Sequence, residues 1–203
     1  YYVSGNIHSQ KGIALSSDYK RYTLRANLEA KVNNWFKVGT NAYFAYEDMT
    51  EAVDGDYNTV TPISASRFML PYWSPYSATG GIANVNDGTW LGTNVNPVEY
   101  QNNNPSDKNR WKVIASAYGE FHPISGLTIK TLGGVDFLDQ RSNMFSMPSY
   151  LPNYGEGSVG RGFSRYTNIT WSNTATYVFD IKEEHHFNVM LGQEWVDNQS
   201  DGF

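Results

Sequence analysis

The sequence predicts an all-β protein, an antiparallel transmembrane β-barrel segment of about seven strands from a larger barrel, with long extracellular loops. Three observations carry this expectation. Apolar residues recur with period two over long runs, almost nothing falls at helical spacing, and the connections between runs alternate strictly between short and long.

A weaker opening strand covers residues 1–6. The clearest run is 22–33, where Tyr22, Leu24, Ala26, Leu28, Ala30 and Val32 share one face and Thr23, Arg25, Asn27, Glu29 and Lys31 the other. Asn33 and Asn34 follow, and Asn tolerates the left-handed conformation of a tight hairpin. In the next run Phe36, Val38, Thr40, Ala42, Phe44 and Tyr46 oppose Lys37, Gly39, Asn41, Tyr43, Ala45 and Glu47. The pattern returns at Trp111, with Val113, Ala115, Ala117 and Phe121 opposite Lys112, Ser116, Tyr118 and Glu120. After a short turn at 122–126, Leu127, Ile129, Thr131, Val135 and Phe137 oppose Thr128, Lys130, Gly134 and Asp136. Ile169, Trp171, Ala175, Tyr177 and Phe179 then oppose Thr170, Ser172, Thr174 and Thr176; last, Phe187, Val189, Leu191 and Trp195 oppose Asn188 and Glu194. The Gly/Asp/Asn-rich end at Phe203 reads as a loop.

Two asymmetries distinguish a membrane barrel from a soluble sheet. From Tyr22 onward every charge within a run lies on the polar face, while the other face is aliphatic in the middle and aromatic at its ends. Short connections at 33–34, 122–126 and 180–185 alternate with long extracellular loops at 48–110 and 138–165. Outer-membrane barrels combine these features with strands of about 9 to 11 residues. The alternative is a soluble β-sandwich that binds carbohydrate, which would hide its apolar face and commonly use strands of about 5 to 6 residues. Seven antiparallel strands do not close a barrel of the usual even count, and open edges in lipid leave backbone groups unsatisfied, so the reading is a piece of a larger wall. No run approaches the roughly 18 apolar residues of a spanning helix.

Composition excludes other classes. Fifteen Lys and Arg against 20 Asp and Glu give a net charge of −5, with only 17% charged residues but 15% aromatics, 20 Asn and 18 Ser. This polar, uncharged balance, with a pI of about 5.3, offers no broad basic field for nucleic acid. Zero Cys removes disulfides, thiolate metal sites and a cysteine nucleophile.

Motifs for catalysis or cofactors are weak. Gly155, Gly157 and Gly160 have dinucleotide-fingerprint spacing but lack the flanking strand and helix, and read as a surface loop. Asp54, Asp56 and Asn58 begin like a calcium loop, yet Thr59 and Ala65 stand where Gly and Glu are needed. Glu183, Glu184, His185 and His186 suggest metal ligation, but adjacent strand residues point to opposite faces, and a solvated turn is the simpler reading. No nucleophile elbow or triad stands out, so no enzyme, cofactor or metal is indicated.

The candidate ligand site is aromatic: Tyr72, Trp73 and Tyr76 in the stretch 70–76, with Trp90 and Tyr100 further along the same loop. Flat apolar faces beside Asn and Asp suit sugar rings. The competing reading is that these rings pack a long loop onto itself. Trp35, Trp111, Trp171 and Trp195 read as membrane-interface anchors. Arg25, Glu29, Lys31, Lys37, Lys112, Glu120, Lys130 and Asp136 face a lumen, to meet a plug or a substrate path.

Several segments together resemble the SusC/RagA family of TonB-linked outer-membrane transporters. They are Gly12-Ile13-Ala14, Tyr19-Lys20-Arg21-Tyr22-Thr23-Leu24-Arg25-Ala26-Asn27-Leu28 and Trp35-Phe36-Lys37-Val38-Gly39-Thr40-Asn41, then Asn96-Pro97, Gly126-Leu127-Thr128-Ile129-Lys130 and His186-Phe187-Asn188-Val189-Met190-Leu191-Gly192-Gln193-Glu194. The resemblance implies a barrel of about 22 strands with a plugged lumen. It also implies location in the cell outer membrane, energy from the TonB complex, and a SusD-like surface lipoprotein as partner in capturing glycans or peptides. On this reading residues 1–203 are partial barrel, with the plug domain and the TonB-contacting segment absent from them.

Overall fold

The computed structural model describes residues 1–52, 61–86, 88–92, 95–148, 156–182 and 184–203. Seven strands, β1 (Tyr2–Lys11), β2 (Asp18–Lys31), β3 (Phe36–Thr50), β4 (Ser106–Phe121), β5 (Leu127–Ser146), β6 (Ser158–Ile181) and β7 (His185–Gly202), form one antiparallel sheet in sequence order. Two short helices, α1 (Pro62–Phe68) and α2 (Pro97–Asn103), lie between β3 and β4. Residues 32–35, 122–126 and 182–184 turn at one end of the sheet, while 12–17, 51–105 and 147–157 connect strands at the other.

The register keeps each sequence face continuous, because directly paired residues of an antiparallel ladder point to the same side. Leu24 faces Phe44, which faces Val113, which faces Phe137; one step along, Ala26, Ala42, Ala115, Val135 and Ile169 form another apolar row. Nothing covers this face among the described residues: Leu28 is 47% exposed and Leu191 74%. A compact monomer of this mass exposes about 9,600 Å², whereas this chain exposes 13781 Å². Of the buried apolar side chains among the described residues, only Ala45 belongs to the sheet; Ala65, Ala83, Trp90 and Val95 lie in the excursion between β3 and β4. The soluble-sandwich alternative is thereby corrected, since it needs a second sheet over the apolar face and the strands all lie in one.

Aromatic rings border the bare face at both ends. Phe36 stacks on Phe121 at 4.5 Å and Phe179 on Phe187 at 5.2 Å near the short turns, with Trp35 beside Phe36 and Phe121. Toward the other end Trp111 packs on Tyr46 at 4.5 Å, and Trp171 is paired with Trp195. The band crosses the ladder obliquely, for Trp171 pairs with Gly133 rather than with the residue opposite Trp111, Asp139. Tilted strands require such an offset between the ladder and the plane of a membrane. The ten steps from Trp111 to Phe121 span about 33 Å along the strand, or about 25 Å of depth at a tilt of about 40°.

Six strand boundaries differ from the sequence reading. The loops expected at 48–110 and 138–165 are shorter, because β3 runs to Thr50, β4 starts at Ser106, β5 runs to Ser146 and β6 starts at Ser158. β1 extends past residue 6 to Lys11. The end expected to be loop is strand: β7 continues to Gly202, and Phe203 exchanges two backbone hydrogen bonds with Phe163. Beyond the aromatic band both faces become polar, as Asp139, Arg141 and Arg165 show, so alternation stops while the ladder continues.

Candidate functional site

The excursion between β3 and β4 has its own small core, built around Asn96. Asn96 precedes Pro97, and its side chain accepts from Val98 N at 3.0 Å, capping α2; Pro at the first helical position loses no hydrogen bond. Both amide protons are also used, donated to Pro75 O at 2.7 Å and Ala83 O at 2.8 Å. One fully buried side chain thus ties three loop segments together. Trp90 is 6% exposed, donates its backbone N–H to Asn84 O at 2.9 Å, and packs so closely over Gly92 that a Cβ there would meet its ring at 2.3 Å.

The five aromatic candidates separate on this framework. Tyr72, Trp73 and Tyr76 come together on a cleft of about 350 Å³, completed by Ser74, Ser77 and Leu91. Tyr72 is 74% exposed and Tyr76 49%, with the ring of Trp73 edge-on to Tyr72 at 6.1 Å. Trp90 is a core residue, and Tyr100 sits half-buried on α2 outside the cleft. Self-packing and an exposed aromatic cleft therefore coexist, divided by residue. Sequence reading passed over Asn96 as a structural centre, although an Asn-Pro pair is itself a helix-start signal.

The polar face of the sheet forms the second candidate surface. Glu29 accepts from Tyr118 Oη at 2.6 Å and pairs with Lys37 Nζ at 3.0 Å, while Lys130 Nζ lies 4.5 Å over the Tyr118 ring. Tyr118 reaches Glu29 by lying across Gly39, where a Cβ would meet the ring at 2.3 Å. Glycine is required there for the approach. Nearer the loop end, Arg110 pairs with Glu47 at 3.1 Å and donates to Gln140 at 2.7 Å. Between these two networks Arg25, Asn27, Asn41, Tyr43 and Lys112 line a cleft of about 560 Å³. Lys31, Glu120 and Asp136 lie on the same face by register.

On the opposite face, past the aromatic band, Asp139 is only 6% exposed and is held by Arg165 at 2.7 Å and Arg141 at 3.3 Å. Gly157 and Gly160 flank the start of β6, so a strand follows them instead of a helix, and the dinucleotide pattern has no phosphate-binding helix. His185 and His186 open β7, with His186 Nδ1 at 2.5 Å from Asp180. Asp54, Asp56, Asn58, Thr59, Gly155 and Glu183 lie outside the described residues.

No family model matches the chain. Two curated relatives from Formosa agariphila do: TonB-dependent receptor P26, 26% identical over 198 residues, and TonB-dependent receptor P3, 25% identical over 209 residues. The alignments cover 95% and 100% of this chain but 19% and 20% of the relatives, so the chain spans about a fifth of their length. Among solved structures, the RagAB peptide importer in its closed-closed state superposes with a TM-score of 0.80 at 25% identity, over 99% of this chain and 23% of that one. The open-open state gives 0.81 at 26% identity, over 99% and 22%.

Proposed function

We propose that the chain is a segment of SusC/RagA-type TonB-dependent receptor wall and that it serves outer-membrane nutrient import as part of a longer protein. The observation that carries the proposal is the inverted sheet: an apolar, aromatic-bordered face left bare beside a polar face rich in charge. A bare apolar face of this depth fits lipid hydrocarbon, and the polar face then borders the lumen. On this reading the cell outer membrane is the location, the end carrying 51–105 is extracellular, and import is driven by TonB through parts of the protein outside these residues.

The cargo is an oligosaccharide or a peptide, captured together with a SusD-like surface lipoprotein. Tyr72, Trp73 and Tyr76 are the proposed contact residues, because they line one cleft, with Tyr72 and Tyr76 exposed and Trp73 half-buried, while Trp90 is buried. Trp90 and Tyr100 support that loop without touching cargo. Flat aromatic faces beside hydroxyl groups accept either sugar rings or apolar peptide side chains.

Uptake of labelled oligosaccharide and peptide pools by cells carrying the whole receptor, with and without TonB, tests the proposal. TonB-dependent accumulation of one pool, reduced by Tyr72→Ala together with Tyr76→Ala at unchanged receptor abundance, is the expected result. Accumulation independent of both TonB and the receptor contradicts it.

A further inference from the structure

We propose that the apolar side of β5 and β6, just beyond the aromatic band, holds the phosphate of an anionic membrane lipid, centred on Arg141 with Arg161 beside it. The proposal rests on reading the bare apolar face as the lipid side of a barrel wall. It deepens that reading by naming the headgroup chemistry that meets the wall.

Facing and depth come first. Asp139 pairs with Trp111 across the ladder, so it shares the apolar face and marks the edge of the band on β5. Arg141 stands two residues further along the same face, opposite Phe163, and Arg161 stands opposite Asn143 two residues beyond that. At about 3.3 Å per residue and a tilt of about 40°, these two levels lie about 5 and 10 Å above the band. The polar layer of a bilayer is about 5 to 8 Å deep on each side of the hydrocarbon. Arg141 therefore emerges within that layer and Arg161 at its outer edge. Asn109 on β4 and Phe163 on β6 flank Arg141, so its exposure is toward the membrane and not toward a strand outside these residues. A plug would meet the opposite face.

The arginines are held unequally. Asp139 Oδ2 accepts from both Nε and Nη2 of Arg165, whose guanidinium also lies 5.1 Å from the centroid of Phe163 and 5.7 Å from that of Phe137. Asp139 Oδ1 accepts only from Arg141 Nε, at 3.3 Å. One buried carboxylate thus serves two cations. The Nε contact fixes the stem of Arg141, whose side chain is 68% exposed, and leaves both terminal nitrogens for an acceptor from outside.

Arg161 is exposed and diagonal to Arg141 across the ladder, about 7 to 8 Å away at the backbone. Two long cationic side chains at that spacing can close on one tetrahedral anion whose oxygens accept from both. Of the nearby acids, Asp107 is on β4, two strands from Arg161, and accepts from Asn143 at 2.9 Å, while Asp201 is paired with Arg165 on the β7 side. Neither stands between Arg141 and Arg161. The half-buried Phe163 lies between Arg161 and Arg165 on β6 and offers an apolar surface to the start of an acyl chain. Depth and that ring favour a phosphate carried by a lipid over one free in solution.

The test places a bimane fluorophore on the whole receptor in phosphatidylcholine vesicles, through Asn109→Cys beside Arg141 or through Ile129→Cys on the same face at the short-turn end. Quenching is compared between phosphatidic acid and phosphatidylcholine, each carrying a nitroxide near the headgroup end of one chain. At position 109 phosphatidic acid should be enriched over phosphatidylcholine, and the enrichment should fall as salt is raised. At position 129 the two should quench alike. Arg141→Gln and Arg161→Gln should each reduce the enrichment about fivefold, the range for one cation at an anionic membrane surface. Arg141→Lys should retain most of it, and Lys112→Gln, on the other face, should leave it unchanged. Equal quenching by both lipids at position 109, or enrichment that survives the double Gln variant, overturns the site. Loss of enrichment with millimolar inorganic phosphate would show a free-anion site and overturn its assignment to lipid. Quenching by neither lipid at either position would instead refute the lipid-facing reading, so the two failures are distinguishable.

Discussion

Placing a charge on the bare face gives the sharpest energetic prediction. Leu28 lies on that face, 47% exposed, four residues above Val32 at the short-turn end of β2 and six below Tyr22 at the aromatic band. At about 3.3 Å per residue and a tilt of about 40°, Leu28 sits about 10 Å from the lower edge of a band about 25 Å deep. Leu28→Arg therefore places a guanidinium near the middle of the hydrocarbon, costing about 2 to 4 kcal/mol. Two neighbours calibrate the effect. Val32→Arg, at the edge of the band, should cost no more than about 1 kcal/mol. Asn27→Arg, one residue away but on the polar face, points into an open cleft and should change stability by about 0.5 kcal/mol or less. The assay is denaturant unfolding of the whole receptor in phospholipid vesicles, followed by tryptophan fluorescence. Equal costs for Leu28→Arg and Asn27→Arg would refute the assignment of faces.

Other predictions concern particular contacts. Gly39→Val should destabilise by about 1 to 3 kcal/mol through overpacking against the Tyr118 ring. In the same unfolding assay the double variant with Tyr118→Ala should be less damaging than the sum of the two singles. Asn96→Ala removes the α2 cap, about 1 kcal/mol, and a buried bond to Ala83 O, about 1 to 3 kcal/mol. Limited proteolysis should then cut within 61–104 while the strands stay protected. Arg165→Ala leaves Asp139 with Arg141 alone and should cost about 1 to 3 kcal/mol, less than full loss of a buried pair because Arg141 remains. Restoration by Arg165→Lys should be partial, since Arg165 donates to Asp139 through both Nε and Nη2.

The part of the fold legible in the sequence is the part where the two faces meet different surroundings. Between Tyr22 and Val32 apolar and polar residues alternate without interruption, and between Trp111 and Phe121 they do so with Ile114 as the exception on the polar face, and strand positions, facing and register follow from them. Above the aromatic band that contrast disappears. Asp139 and Arg165 lie in line with Val135 and Ile169, so hydrophobic pattern carries no signal there, although β5 and β6 remain paired to Ser146 and Ser158. The same applies to β7 beyond Trp195, where Asp197, Gln199 and Asp201 occupy the formerly apolar side.

The site was legible by residue type and not by geometry. An aromatic cluster at 70–76 can be seen in the sequence, but the different fates of Tyr72 and Trp90 depend on Asn96 bonding to Pro75 and Ala83, contacts between residues far apart in the loop. Helices of seven residues carry too little periodicity to announce themselves, so only the Thr-Pro and Asn-Pro starts of α1 and α2 were available as signals. On the polar face the charges were visible; which of them are already paired was not. The contact of Tyr118 with Glu29 crosses an intervening strand and depends on the missing side chain at Gly39.

The most direct test of the central claim is spin-label accessibility along β4. Labels placed singly at positions 111 to 121 of the whole receptor in phospholipid vesicles report collisions with oxygen, which concentrates in hydrocarbon, and with a water-soluble nickel chelate. The account predicts alternation with period two, with oxygen dominant at the odd positions from Trp111 to Phe121 and nickel dominant at the even ones. Nickel access at Val113, Ala115 and Ala117 equal to that at Ile114 and Ser116 would contradict a sheet with lipid on one side and a lumen on the other.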